Sequence, residues 1–139
     1  MKIEKVDHIS LAVRDLEATK KIYREDLGLE PAYEYLAPLE KIKVARYFIG
    51  EVAVELMEST APDGEVAKFI DKKGEGVFLI SYKVADLARA MQELQEKNVK
   101  LIDNKPREIF GTKYAFIHHP DNLSGVLTEL IEGDFDINK

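Results

Sequence analysis

Three side chains in this sequence bring chemistry into otherwise apolar stretches. His8 lies in Val6-Asp7-His8-Ile9-Ser10-Leu11-Ala12-Val13, Glu55 in Val52-Ala53-Val54-Glu55-Leu56-Met57, and Glu129 in Gly125-Val126-Leu127-Thr128-Glu129-Leu130-Ile131. Each stretch reads as a β-strand, in which alternate residues point to opposite faces. In the first, Ile9, Leu11 and Val13 form an apolar face suited to packing on a helix. Val6, His8, Ser10 and Ala12 form the other, which could line a cavity. A carboxylate on a buried strand face is costly unless it is paired or metal-bound. Two such carboxylates and an imidazole, if they converge, would attract a divalent cation. Taken singly, each has a plainer account: a hydrogen-bonded sheet histidine, or a glutamate on the exposed face of an edge strand.

The elements that must position these residues repeat along the chain. After the first strand, Leu16, Thr19, Ile22, Tyr23 and Leu27 recur at helical spacing, with Asp15 as N-cap and Gly28 as a left-handed stop. The segment from Gly28 to Leu39 reads as irregular or weakly extended, broken by Pro31 and Pro38. Residues 43–49 and 52–57 read as strands joined by a tight turn at Gly50-Glu51. A short helix is expected over Val66–Lys73, ended by Gly74. The opening pattern then returns: a strand over Gly76–Val84, then Asp86-Leu87 and a helix to about Lys97, with Asn98 suited to a left-handed cap. Leu101-Ile102 begins an extended piece, strands follow over 113–118 and 125–131, and the polar tail from Gly133 to Lys139 is expected to be loose.

Asp15-Leu16 and Asp86-Leu87 are 71 residues apart, and at that offset Val6, Ile9, Ser10 and Val13 meet Val77, Ile80, Ser81 and Val84. Glu55-Leu56 meets Glu129-Leu130 at an offset of 74. Each half is therefore strand, helix and three strands. Half a domain of this size buries little core by itself, so the halves should pack or pair their sheets. At the same register His8 corresponds to Leu79.

The 139 residues suit a single domain, and 45% hydrophobic content is enough for a core. The net charge of −6 and the lack of any Lys/Arg run argue against nucleic acid or an anionic membrane as partner. Without cysteine there is no disulfide and no thiolate chemistry. The N-terminus lacks the apolar core of a signal peptide and no apolar run is long enough to span a bilayer, so a cytoplasmic protein is expected.

Several stretches carry a resemblance beyond the repeat. They are the His8 strand, Tyr23-Arg24-Glu25-Asp26-Leu27-Gly28-Leu29, Val54-Glu55-Leu56-Met57-Glu58, Ala61-Pro62-Asp63 with Ala67-Lys68-Phe69, Gly74-Glu75-Gly76, Leu101-Ile102-Asp103, His119-Pro120, and Gly125 to Leu130. In these the chain resembles the vicinal oxygen chelate superfamily of glyoxalase I, extradiol dioxygenases and bleomycin-resistance proteins, and within it the methylmalonyl-CoA epimerases. The resemblance implies an α+β fold of two βαβββ modules forming a curved, cup-like mixed sheet. It implies one domain over 1–139, with module 1 at about 5–58, a linker helix at about 59–75 and module 2 at about 76–131. A homodimer is implied as well.

Carried over residue by residue, the resemblance makes His8, Glu55 and Glu129 ligands of a divalent metal ion, which could be Co, Zn, Ni, Mn or Mg. The fourth ligand of the epimerases is a histidine at the position of Leu79, which cannot bind a metal. A loop glutamate that the epimerases place just after a proline, and that is implicated in proton transfer, stands one residue late here, in Pro38-Leu39-Glu40. Glu129 and Glu40 are thus the acid/base candidates. His118 shares a strand face with Tyr114 and Phe116 and is a weaker candidate ligand, although a surface or turn role fits it better. The implied activity is a metal-dependent isomerase that abstracts a proton beside a thioester carbonyl, with a small molecule such as an acyl-CoA as partner. Two alternatives stand beside it: a glyoxalase I-like lyase with the same metal site, and a metal-free small-molecule-binding protein on the same fold, which the loss of a ligand at Leu79 would suit.

Overall fold

The computed structural model describes residues 1–118 and 125–139. The chain divides into two compact units, His8–Phe78 and Met1–Asp7 with Leu79–Lys139. The first unit holds one βαβββ module from His8 onward, and the second holds the other from Leu79 onward. Among the described residues no helix is long and apolar enough to cross a membrane.

In the first module, β1 (Lys5–Ala12) leads to α1 (Leu16–Leu27), then β2 (Tyr33–Ala37), β3 (Ile42–Ile49) and β4 (Val52–Ser59). The strands lie in the order β2-β3-β4-β1. Strands β1 and β4 are parallel, with Ser10 opposite Glu55, while β3 and β4 form an antiparallel hairpin with Arg46 opposite Glu55. α1 starts where Asp15 accepts a hydrogen bond from Ala18 N–H and stops at Gly28, whose φ of 68° only glycine adopts freely. One sheet face packs on this helix through Val13, Leu16, Ala45, Tyr47 and Leu56, with Leu11 and Tyr23 against them. Leu11 and Val13 therefore face the helix, and His8, Ser10 and Ala12 take the other face, as their alternation requires. α2 (Glu65–Lys73) follows β4, and Phe69 meets Phe78 edge to face at 5.3 Å.

The second module repeats the plan: β5 (Gly76–Lys83), α3 (Leu87–Glu96), β6 (Arg107–Ile109), β7 (Thr112–Ile117) and β8 (Leu127–Glu132), in the order β5-β8-β7-β6. Its core joins Val84, Leu87, Met91 and Leu94 to Ala115, Ile117 and Leu130. Asn98 ends the helical segment at a φ of 62°.

The repeat holds to the level of single hydrogen bonds. Asp86 caps α3 as Asp15 caps α1. Val13 N–H donates to Met57 O at 2.9 Å, and Val84 N–H to Ile131 O at 2.9 Å. The Glu58 carboxylate accepts from Leu16 N–H at 2.7 Å, and that of Glu132 from Leu87 N–H at 2.9 Å. Both glutamates lie three residues after the site glutamate of their strand. One face of each last strand thus caps a helix, and the opposite face carries Glu55 or Glu129.

Three segments differ from the sequence expectation. The stretch after Gly28 contains a true edge strand, β2, whose register with β3 overrides Pro31 and Pro38 at its flanks. β6 is only three residues long, and it pairs with β7 across a turn at Phe110-Gly111 with positive φ at both positions. The tail is docked: Asp136 N–H donates to Phe110 O at 2.8 Å, Phe135 packs on Phe110 at 5.3 Å, and Lys83 Nζ donates to Asp134 at 2.6 Å. Gly133, at a φ of 89°, sits so close that a Cβ would lie 2.8 Å from Gly111 O.

Lys20 on α1 is paired with Glu34 at 2.6 Å and Glu17 at 3.1 Å. The Glu34 hydrogen bond, acting against desolvation, raises its pKa above the ordinary lysine value. Its contribution to stability is complete below the unfolded lysine pKa and is lost as pH rises through the higher folded value.

Because the two capping aspartates share no partner, Asp15→Ala and Asp86→Ala should each cost about 1 kcal/mol. The double variant should lose the sum within about 0.5 kcal/mol, read by urea denaturation. A coupling larger than that would show that the two helix starts are not independent.

Candidate functional site

The face of the first module opposite α1 is a sheet surface that carries a buried polar cluster. Glu55 projects from β4, flanked on one side by Arg46 of β3 and on the other by Ser10 of β1. The side chains of Arg46 and Glu55 are 5% and 2% exposed. Arg46 Nη1 donates to Glu55 Oε2 at 2.9 Å, and Tyr35 Oη on β2 donates to the same oxygen at 2.6 Å. His8 Nε2 lies 3.4 Å from the other oxygen, Oε1. Ser10 is fully buried, and its Oγ makes no hydrogen bond. The carboxylate is therefore held by a guanidinium, a phenol and an imidazole contributed by three other strands.

The second module carries the corresponding carboxylate in different company. Glu129 projects from β8 on the face opposite α3 and is buried. Ser81 of β5, at the register position equivalent to Ser10, donates to Glu129 Oε1 at 2.6 Å. The β7 residue opposite Glu129 is Phe116, where the first module has Arg46. Arg107 lies over the Phe116 ring at 4.9 Å. Leu79, also on β5, is buried with 2% exposure and presents only hydrocarbon.

Glu40 stands in the turn between β2 and β3. The turn lies beyond the Ile42–Ser59 pair, and Ser59 is four residues along β4 from Glu55, about 13 Å at the strand rise. His118 is half-buried, and its backbone N–H donates to Lys100 O at 3.0 Å. His119 and Pro120 lie outside the described residues.

Among the described residues no group of three or more His, Asp or Glu side chains is arranged to hold a metal ion. The first module shows a reason. A divalent ion needs carboxylate lone pairs, and Glu55 already gives one oxygen to a buried guanidinium and a phenol. Leu79 offers no ligand atom. The residues as they stand do not fit the divalent ion that the resemblance implies.

Arg46 was not singled out in the sequence, although the signal was there. A two-residue turn at Gly50-Glu51 pairs Ile49 with Val52, and counting back along the hairpin puts Arg46 opposite Glu55. Tyr35 had no such signal, because β2 is not marked by alternation.

Comparison with known proteins places these residues in a family. The model of the Glyoxalase/Bleomycin resistance protein/Dioxygenase superfamily matches residues 7–116. The chain belongs to this superfamily. Among superfamily relatives, an uncharacterised protein of Bacillus subtilis is 35% identical over 131 residues, covering 94% of this chain and 93% of its own. The mitochondrial methylmalonyl-CoA epimerase of Bos taurus is 27% identical over 127 residues, covering 91% of this chain and 73% of its own. A variant of the Streptomyces coelicolor methylmalonyl-CoA epimerase, solved in complex with 2-nitronate-propionyl-CoA, superposes with a TM-score of 0.89 at 31% identity and covers 95% of this chain and 99% of its own. This chain of the superfamily therefore has the fold of the epimerases, an α+β pair of βαβββ modules.

In the first module, Arg46→Met leaves the Glu55 carboxylate buried without its cation and should destabilise the protein by about 3–5 kcal/mol. Replacing the pair together, as Arg46→Met with Glu55→Met, should cost much less than the single change, because no buried charge is left over. Denaturant midpoints of the two variants check this. Equal losses would mean that the pair is not what compensates Glu55.

Proposed function

We propose that this protein is an isomerase of the methylmalonyl-CoA epimerase type, which exchanges the proton on the carbon next to a thioester carbonyl of an acyl-CoA. Similarity over 91% of this chain to one epimerase, and over 95% to an epimerase bound to an acyl-CoA analogue, supports the substrate class. The observation that carries the assignment of the base is the setting of Glu129, a buried carboxylate on β8 on the sheet face opposite α3, whose Oε1 accepts a hydrogen bond from Ser81 at 2.6 Å. Glu129 is the proposed proton acceptor.

The step is a simple one. The Glu129 carboxylate takes the proton from the carbon beside the carbonyl, and the bonding pair moves toward the thioester oxygen as an enolate. A proton returned to the opposite face inverts the centre, and one returned to the same face regenerates the substrate. Ser81 fixes the Glu129 carboxylate through its hydrogen bond to Oε1. Glu40, in the β2–β3 turn, is the proposed second acid/base group. The developing oxyanion requires positive charge or N–H donors nearby.

The test is solvent deuterium exchange at C2 of methylmalonyl-CoA, followed by NMR or mass spectrometry. The wild-type protein should exchange this proton, and Glu129→Gln, which keeps an acceptor for Ser81, should slow exchange by about 10²–10⁴-fold. No exchange by the wild-type protein with methylmalonyl-CoA or other 2-substituted acyl-CoA thioesters would overturn the proposal. Turnover of methylglyoxal hemithioacetal in its place would assign a glyoxalase-type lyase.

A further inference from the structure

We infer that Arg46 is the resident cation of the first-module cluster, so that its guanidinium takes the place of a divalent metal ion on Glu55. This deepens the function proposed above. It rests on that reading for its catalytic relevance and on the geometry of the module for the cation itself.

Four observations within the module carry it. The Arg46–Glu55 contact is a direct ion pair at 2.9 Å between side chains that are both almost fully buried. Tyr35 adds a second donor to the oxygen that Arg46 already engages, so the pair is locked by strand β2 as well as by hairpin register. His8 Nε2 lies 3.4 Å from the remaining oxygen, so the imidazole stands beside the pair. Ser10 shows what the pair has displaced. It stands beside Glu55 as Ser81 stands beside Glu129, yet only Ser81 makes the serine–glutamate hydrogen bond. The Glu55 head group is turned toward Arg46 and Tyr35 strongly enough to leave a buried hydroxyl unbonded.

A guanidinium is a fixed charge that cannot lose its proton at physiological pH, and it presents several N–H donors in a plane. It therefore does two things a metal would do at this position. It pairs with the buried Glu55 carboxylate at 2.9 Å, and it places a guanidinium on the face that carries His8. The ligand class this suits is an anionic or strongly polarised oxygen, such as a carboxylate or a thioester enolate. It does not suit a chelating divalent cation, which would share the carboxylate with an adjacent positive charge.

The experiment is a calorimetric and spectroscopic titration of the untagged, full-length protein with Co²⁺, together with melting temperatures with and without 1 mM Co²⁺. The wild-type protein should give no cobalt–ligand spectrum and no shift in melting temperature. Arg46→Met should melt lower in chelator, regain stability on adding Co²⁺ and bind it at least 100-fold more tightly than wild type, and Glu55→Gln added to Arg46→Met should abolish the gain. If Arg46→Met fails to fold alone, refolding yield with and without Co²⁺ reads the same property, and recovery dependent on the ion supports the inference. Equal yields, or a folded Arg46→Met with no gain in Co²⁺ affinity, would overturn it. So would wild-type binding tighter than about 10 μM that is lost in Glu55→Gln. Acyl-CoA exchange measured on the same wild-type sample keeps the two readings apart. Exchange that survives chelator supports both. An inactive sample that also refuses Co²⁺ overturns the enzyme reading and leaves the cation assignment standing.

Discussion

A carboxylate buried on a sheet must find positive charge or hydrogen-bond donors, and much of this structure is arranged around that requirement. Glu55 and Glu129 sit on central strands, each parallel to the first strand of its module and antiparallel to a hairpin partner. Ser10 and Arg46 flank Glu55 across the register, Ser81 and Phe116 flank Glu129, and Tyr35 reaches Glu55 from β2. Register is thus the device that determines the chemistry of each carboxylate. A slip of one residue would turn Glu55 from the face it shares with Arg46 and Ser10 to the helix-packed face. The helix caps reinforce the register, since Glu58 and Glu132 reach Leu16 and Leu87 N–H only when their strands are placed as observed.

The repeat then allows two copies of one arrangement to diverge. Both modules have the glutamate, the flanking serine and the capping glutamate three residues on. They differ at the position across the hairpin, arginine in one and phenylalanine in the other. That one position puts a guanidinium against Glu55 in one module and an aromatic ring across from Glu129 in the other. The divergence at His8 and Leu79 runs alongside it: the module with the imidazole also has the arginine, and the module with Leu79 has Phe116 and Ser81.

The elements of the fold were legible in the sequence because the modules obey local rules. Asp15, Gly28, Asp86 and Asn98 mark helix ends by capping chemistry, and the alternation around His8 and Glu55 assigns faces without tertiary information. What escaped was set by long-range pairing. Strand β2 exists because β3 offers it an edge, and β6 because β7 does, in segments too short or too broken by proline for alternation to show. The tail looked loose because its anchors, Gly133 against Gly111 and Phe135 against Phe110, couple it to a distant turn. At the site, the titratable residues His8, Glu55 and Glu129 stood out by type, but their partners did not. Arginine on a strand reads as surface unless the hairpin register is carried through.

The size of the Arg46 effect can be judged from elementary electrostatics. A divalent ion bound by a Glu55 oxygen would lie about 2 Å from it. On Oε1, the oxygen beside His8, that puts it within about 7 Å of the guanidinium nitrogen on Oε2. At an effective dielectric constant of 20, charges of +2 and +1 at that separation repel by about 5 kcal/mol, or about three to four decades in affinity at about 1.4 kcal/mol each. A missing ligand at Leu79 would weaken a metal site by the loss of one bond, which a water molecule could partly replace. A resident guanidinium acts differently, because it opposes the ion with like charge and removes the negative charge that would have attracted it. The repulsion is therefore the stronger barrier of the two, and it comes from Arg46, a residue that the ligand pattern alone gives no reason to inspect.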